Sequence, residues 1–89
     1  MTVNAVMQRT GPVSMVLLVK SVKQHRTKNG EMMAFAAAMD ETGSLDLAFM
    51  PNTYRKYVNI LKKGIIVFIR GEKDFRSSVK VNEIVLLKG

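Results

Sequence analysis

Residues 50–64 read Met-Pro-Asn-Thr-Tyr-Arg-Lys-Tyr-Val-Asn-Ile-Leu-Lys-Lys-Gly and carry a helical pattern within a chain of strand-like segments. Pro51 suits the first position of a helix, where a missing N–H group costs nothing. Four apolar residues then recur at the spacing of one helix face: Tyr54, Tyr57, Val58 and Leu61. Lys62 and Lys63 suit the negative end of the helix dipole. The pattern predicts a helix that begins at Pro51 and ends before a terminating glycine, Gly64.

Strand-like segments lie on both sides of this helix. Apolar and alternating runs predict five strands, at residues 13–23, 32–40, 45–50, 65–72 and 79–87. Asn29-Gly30 predicts a tight hairpin turn between the first two strands, because both residues tolerate positive φ. Gly71 indicates a bulge or a tight bend. Three strands, a helix and two strands form the order of the OB-fold, a small barrel often used to bind single-stranded nucleic acid.

The predicted fold class is therefore all-β, a five-stranded OB-fold barrel with one capping helix, over residues 13–89. Residues 1–12 show no hydrophobic period and end at the turn signal Gly11-Pro12, so they are predicted to be an N-terminal extension or linker. In the second strand, Ala36-Ala37-Ala38 has low strand propensity, and a helix over residues 31–39 is the competing interpretation. The turn signals on both sides favour a strand.

Composition limits the classes of function. Eighty-nine residues allow one domain. Fourteen Lys and Arg against seven Asp and Glu give a net charge of +7, which favours a polyanionic partner. The chain has no cysteine, which excludes disulfides, thiolate zinc sites and cysteine nucleophiles and fits a reducing cytoplasm. The most apolar run near the start, residues 15–19, is too short to span a membrane, so no membrane partner is expected.

Catalytic chemistry has no support in the sequence. His25 is the only histidine, and no nucleophile or metal-ligand partner is near it in the chain. Asp40 and Glu41 precede Thr42-Gly43, so we interpret them as turn residues rather than magnesium ligands. No glycine-rich phosphate-binding motif occurs. We therefore expect no active site, no metal and no cofactor in this chain.

Several short runs resemble a known family. They are Arg-Thr-Lys-Asn-Gly-Glu-Met-Met-Ala-Phe (26–35), Asp-Glu-Thr-Gly (40–43), Phe-Met-Pro-Asn-Thr-Tyr-Arg-Lys-Tyr (49–57), Lys-Lys-Gly (62–64) and Ile-Arg-Gly (69–71). Together they resemble the OB domain near the C-terminus of the bacterial replicative DNA polymerase III alpha subunit. The chain is less similar to the anticodon-binding OB domain of class II aminoacyl-tRNA synthetases. Those domains usually carry an arginine where Met39 precedes Asp40 here.

The resemblance implies a module of a polymerase that binds single-stranded DNA ahead of the active site. It implies as partners the remaining domains of the alpha subunit and, close by, the sliding clamp or the clamp loader's tau subunit. In the related synthetases an aromatic residue at the position of Phe35 stacks on a base, which implies the same role here. Ala37, Ala38 and Met39 replace larger residues of the family pattern, so the binding face is expected to be flatter and weaker.

Strand two has two possible orientations. The row Met33, Phe35, Ala37 and Met39 faces either the core or the outside, and the row Ala34, Ala36 and Ala38 takes the other side. Hydrophobic pattern alone favours Phe35 inside. The resemblance favours Phe35 outside, and small residues fit the interior of a tight barrel. We therefore predict that Phe35 faces outward, on the binding face.

Two basic loops complete the predicted site. OB barrels bind strands across strands two and three, between the loop joining strands one and two and the loop joining strands four and five. The first loop supplies phosphate-binding groups, His25, Arg26, Lys28 and Asn29, with Lys20 and Lys23 upstream. The second region supplies Lys73, Phe75, Arg76 and Lys80. Phe75 either stacks on a base or folds over the barrel mouth. The helix cations are interpreted as a solvated face.

The sequence thus predicts weak, salt-dependent binding of single-stranded DNA with little sequence preference. Two alternatives stay open. One is an RNA-binding module of the synthetase type. The other is a protein-docking module, because an OB scaffold does not determine function by itself.

Overall fold

A computed structural model of the chain describes residues 1–74 and 78–89. Its elements, in chain order, are α1 (Val3–Val6), β1 (Gly11–Arg26), β2 (Met32–Asp40), β3 (Gly43–Phe49), α2 (Pro51–Tyr57), β4 (Ile66–Lys73) and β5 (Ser78–Lys88). The predicted order of three strands, a helix and two strands is confirmed. The short helix α1 is additional, and β1 extends beyond its predicted range at both ends.

The five strands close into a barrel in the order β1-β2-β3-β5-β4. The first half of β1 pairs with β4 and its second half pairs with β2, so one long strand belongs to both sides of the closure. A register irregularity lies between Val19 and Ser21, where the strand passes from one partner to the other. Such a bulge bends a strand and increases its twist. β3 and β5 pair in parallel, whereas the other neighbours are antiparallel.

The barrel interior combines small and large side chains. Ala34, Ala36 and Ala38 of β2 are buried at 0–2% exposure, and bulkier residues such as Phe49 and Leu47 of β3 are buried beside them. Small residues on one strand leave room for large residues on the next, as the narrow interior of a small barrel requires. Phe35 lies on the opposite side of β2 and is 42% exposed, so its predicted outward orientation is confirmed.

The helix α2 is shorter than predicted. Pro51 does occupy the start of the helix, but the helix ends at Tyr57, and Val58 is its C-cap. The following Val-Asn-Ile run consists of residues with low helix propensity, which favours an early end. Gly64 has φ +90° but does not terminate the helix. Gly64 lies two residues before β4 begins, and its N–H group donates to the carbonyl oxygen of Val19 at 2.7 Å.

The hairpin loop between β1 and β2 also differs from the prediction. Gly30 has φ +82°, but no non-glycine residue in the described parts of the chain has positive φ, so Asn29 does not adopt the expected conformation. The N–H of Gly30 donates to the carbonyl of Thr27 at 2.9 Å, and the N–H of Thr27 donates to the carbonyl of Glu31 at 2.7 Å. These bonds define a three-residue loop with a glycine bulge rather than a two-residue turn.

Residues 1–12, predicted as an extension or linker, contribute to the packed structure. Val3 and Val6 of α1 are buried in the core at 1% and 0% exposure. The N–H of Val3 donates to Asp40 Oδ2 at 2.8 Å, and the N–H of Asn4 donates to Thr42 Oγ1 at 3.0 Å. A helix of four residues is too short to show a hydrophobic period, which explains why the sequence pattern did not reveal it.

Acidification should weaken the attachment of α1 through Asp40. The hydroxyl of Thr42 donates to Asp40 and, with backbone N–H groups that include that of Val3, holds the pKa of Asp40 below 3.8 against the opposing effect of burial. Because the folded state has the lower pKa, this contribution is present above pH 3.8 and is lost as the pH falls through the folded value. Urea unfolding of wild type and Asp40→Asn should give free energies of unfolding that converge below pH 3.8.

The neighbouring exposed carboxylate offers a matched control for this prediction. Glu41→Gln should leave the free energy of unfolding close to wild type across the same pH series, since Glu41 makes none of the contacts with α1. If the difference in free energy of unfolding between wild type and Asp40→Asn stays constant with pH, the role of Asp40 is contradicted.

Gly71→Ala should destabilise the barrel. The predicted irregularity at Gly71 is confirmed, since the pairing of β4 with β5 shifts between Arg70 and Gly71. A methyl group at Gly71 would overlap the backbone carbonyl oxygen of Lys80, which cannot move without breaking the pairing. We expect a loss of about 1–3 kcal/mol in the free energy of unfolding, typical of overpacking.

Gly43→Ala is the matched control for this change. A methyl group at Gly43 would meet only Val3 Cγ1, at 3.4 Å, so a smaller loss is expected in the same denaturant titration. Equal losses for the two variants would show that the close approach at Gly71 does not limit stability.

Candidate nucleic-acid interface

A row of four side chains crosses the outer surface of the barrel. The strand register pairs Lys23 of β1 with Phe35 of β2, Phe35 with Ala48 of β3, and Ala48 with Lys80 of β5. Paired residues on adjacent strands point to the same face of a sheet, so the four share the outer surface. Lys23, Phe35 and Lys80 are exposed, and Ala48 is half-buried. We refer to Lys23, Phe35, Ala48 and Lys80 as the outer row.

The outer row places an aromatic ring between two cations. Neighbouring strands lie about 4.8 Å apart, so the row spans roughly 14 Å from Lys23 to Lys80. The direct partner of Phe35 toward Lys80 is Ala48, and Ala37 is two positions further along β2 on the same face. Because both neighbours are small, the ring of Phe35 stands above a flat apolar surface. This arrangement can stack one base and hold phosphates on either side of it.

His25 extends the aromatic part of this surface. Its ring centroid lies 6.1 Å from that of Phe35, with the planes tilted by 55°. His25 is in β1 rather than in the predicted loop, and it pairs with Met33. Lys28 and Asn29 follow in the exposed hairpin loop. The structure therefore brings His25 and Phe35 together and places Lys28 and Asn29 at the adjoining loop tip.

Arg26 lies on the other face of the hairpin. It pairs with Met32, which packs against the core, and is three residues along β1 from Lys23. Successive side chains of a strand alternate between faces, so Arg26 and Phe35 point to opposite sides. The guanidinium of Arg26 donates to the carbonyl oxygen of Gly30 at 3.4 Å. Arg26 is exposed, but it does not join the outer row.

The two lysines predicted near the second loop have different surroundings. Lys80 is exposed and belongs to the outer row, whereas Lys73 is only 5% exposed. The Nζ atom of Lys73 donates to the backbone carbonyl of Asp74 at 3.0 Å. Lys73 therefore contributes to the wall of an open pocket of about 480 Å³ beside Ala48, Met50 and Lys80, rather than to the exposed outer row. Phe75 and Arg76, the other predicted residues here, lie outside the described residues.

One acidic residue, Asp46, borders the outer row on one side. The neighbouring row pairs Ser21 with Ala37 and Ala37 with Asp46, and Asp46 is exposed. A carboxylate at this position repels anions, whereas the outer row carries two cations. Within residues 1–74 and 78–89, no group of three His, Cys, Asp or Glu residues could hold a metal ion. No helix in the same ranges is long and apolar enough to cross a membrane.

Comparison with curated proteins identifies relatives of this chain. A 69-residue stretch is 38% identical to DNA polymerase III subunit alpha of Staphylococcus aureus strain MRSA252 and covers 74% of this chain. A 64-residue stretch is 33% identical to the same subunit of Bacillus subtilis and covers 72% of this chain. The chain is homologous to a segment of DNA polymerase III subunit alpha. The resemblance predicted from the sequence is confirmed.

The segment homologous to polymerase III alpha is small relative to that subunit, since this chain spans about 6% of the length of the curated relatives it matches. No protein-family model matches the chain. Among solved structures, two crystal structures of mitochondrial single-stranded DNA binding proteins from S. cerevisiae have the same fold. Each gives a TM-score of 0.71 over 90% of this chain, at 17% and 15% identity. This likeness confirms the OB-fold.

In this polymerase III alpha homologue, Lys23 belongs to the outer row but not to the site predicted from the sequence. The sequence places it only upstream of the loop. A two-residue turn at Asn29-Gly30 would place Gln24, not Lys23, opposite Phe35. The three-residue loop moves the register by one position and pairs Lys23 with Phe35. A glycine bulge loop at this hairpin was the signal that could have revealed the pairing.

Proposed function

We propose that this chain binds single-stranded DNA along the outer row, as an accessory OB module of the DNA polymerase III alpha type. The observation that carries the proposal is the exposed ring of Phe35 between Lys23 and Lys80 in strand register. The net charge of +7 supports long-range attraction of the strand. Homology to polymerase III alpha and the fold of single-stranded DNA binding proteins support the choice of ligand.

Each part of the outer row has a separate role in this mechanism. Phe35 stacks on a base, and the tilted ring of His25 supports the adjoining part of the strand. Lys23 and Lys80 neutralise phosphates on the two sides of that base, and Lys28 and Asn29 contact the backbone at the loop tip. The contacts involve stacking and charge rather than the edges of bases. Binding is therefore micromolar or weaker and has little sequence preference.

The chain acts as a binding module without an active site of its own. In the cytoplasm it holds template strand near a polymerase, and its partners in that setting are the remaining domains of an alpha subunit. The resemblance to the alpha subunit also supports the sliding clamp or the clamp-loader tau subunit as neighbours.

Replacement of Phe35 should weaken DNA binding without unfolding the chain. Phe35→Ala removes one stacking surface, worth roughly 1–3 kcal/mol, so the Kd for oligo-dT should rise about 5- to 150-fold. Fluorescence anisotropy with labelled oligo-dT at low salt measures the change. Phe35→Trp should retain wild-type affinity, whereas Phe35→Leu should behave like alanine, because leucine is apolar but cannot stack.

Circular dichroism spectra of these variants serve as the folding control, since Phe35 lies outside the core. Wild-type affinity in folded Phe35→Ala would exclude the stacking role. Stronger binding to an RNA stem-loop than to oligo-dT would instead select the RNA-binding alternative.

Removal of either row lysine should reduce the salt dependence of binding. Each phosphate contact on a single strand contributes about −0.7 to the slope of log K against log salt concentration. Lys23→Ala and Lys80→Ala should each make the slope less negative by about that amount, in titrations at four or more salt concentrations. Lys63→Ala is the matched control, because Lys63 is exposed in the turn before β4 and away from the row. Equal slopes for all three variants would assign the salt effect to net charge alone.

A further inference from the structure

A second surface of the barrel is apolar and exposed. The register places Val16 of β1 beside Phe68 of β4, and Phe68 beside Val85 of β5. Leu18 pairs with Ile66 in the adjacent row. We call the surface formed by Val16, Leu18, Ile66 and Val85, together with the aromatic ring of Phe68, the aliphatic face. Val16 and Val85 are 48% and 49% exposed, at outward-facing strand positions where a polar residue would also fit. Contiguous apolar patches of this kind mark interaction sites.

One end of the aliphatic face carries a pair of opposite charges. Arg70 and Glu83 pair across β4 and β5 next to the row of Phe68 and Val85, and Arg70 Nη1 lies 3.8 Å from Glu83 Oε1. The guanidinium of Arg70 also lies over the ring of Phe68, 5.7 Å from its centroid. Copies of a chain with net charge +7 repel each other at most orientations. One cation and one anion lie at this end of the aliphatic face, and the exposed Lys88 pairs with Ile66 at the other end. Two copies can therefore approach with Arg70 opposite Glu83 and Lys88 opposite an apolar side chain, without like-charge contact.

We propose that the aliphatic face binds a second copy of this chain in a two-fold dimer. An axis in the plane of contact, running between β4 and β5 and roughly parallel to them, places Phe68 against Val85 of the second copy. The same axis places Arg70 against Glu83 of the second copy, and each contact occurs twice. A two-fold interface must be self-complementary in this way. The inference goes beyond DNA binding and does not depend on it, since the aliphatic face uses the first half of β1 and the outer row uses the second half.

Sedimentation equilibrium of the 89-residue protein over a range of concentrations tests the dimer. Wild type should approach twice its mass of 10.0 kDa as its concentration rises. Val85→Lys should raise the dimer dissociation constant by on the order of tenfold or more, because it buries an unpaired charge in the interface. The matched control is Val58→Lys, also an exposed valine but located after α2, which should leave the dimer unchanged.

Charge reversal tests the two-fold arrangement itself. Arg70→Glu alone and Glu83→Arg alone should each prevent self-association, because each places like charges opposite each other in the dimer. A mixture of the two variants should form a heterodimer. In one contact the two substituted side chains of Arg70→Glu and Glu83→Arg have opposite charges, and in the other contact the unchanged Arg70 and Glu83 meet. The salt bridge within one chain is exposed, so both variants should remain folded.

A wild type that stays monomeric at every concentration overturns the proposal. A dimer that persists in Val85→Lys, or a mixture of the charge variants that fails to associate while each variant is folded by circular dichroism, overturns it equally.

Discussion

The pairing of the long strand β1 with both β4 and β2 is the constraint on which the rest of the structure depends. It closes the sheet, and the irregularity after Val19 lets one strand bend from one partner to the other. Closure also separates the outer surface into two regions. The first half of β1 belongs to the aliphatic face and the second half supplies Lys23 and His25 to the outer row. Both proposed surfaces therefore follow from one strand.

The outer row depends on the alanines of β2. Because Ala34, Ala36 and Ala38 fill little of the interior, β2 can approach the bulky side chains of β3 while Phe35 remains outside. The small partner Ala48 leaves the ring of Phe35 free above the sheet. A flat stacking surface with one cation on each side suits a ligand that is recognised by charge and shape rather than by base identity.

Much of the fold could be predicted, because strand order, turn signals and the outward position of Phe35 have local or family patterns. The errors have identifiable causes. The helix α2 ends early because Val58, Asn59 and Ile60 have low helix propensity, although their positions fit the apolar stripe. The loop before β2 has three residues, not two, and this pairs Lys23 with Phe35 and places Arg26 on the opposite face. The burial of Lys73 depends on packing, which no local pattern records.

The sequence by itself determined the fold class, the basic charge and the relationship to polymerase III alpha, because these depend on local propensities, composition and shared motifs. Tertiary structure decided which side chains meet. Lys23 and Lys80 are distant in sequence and flank Phe35 only because the barrel brings β1, β2, β3 and β5 into register. The aliphatic face likewise combines residues from β1, β4 and β5. Contacts between strands depend on loop length and barrel closure, and a linear pattern specifies neither.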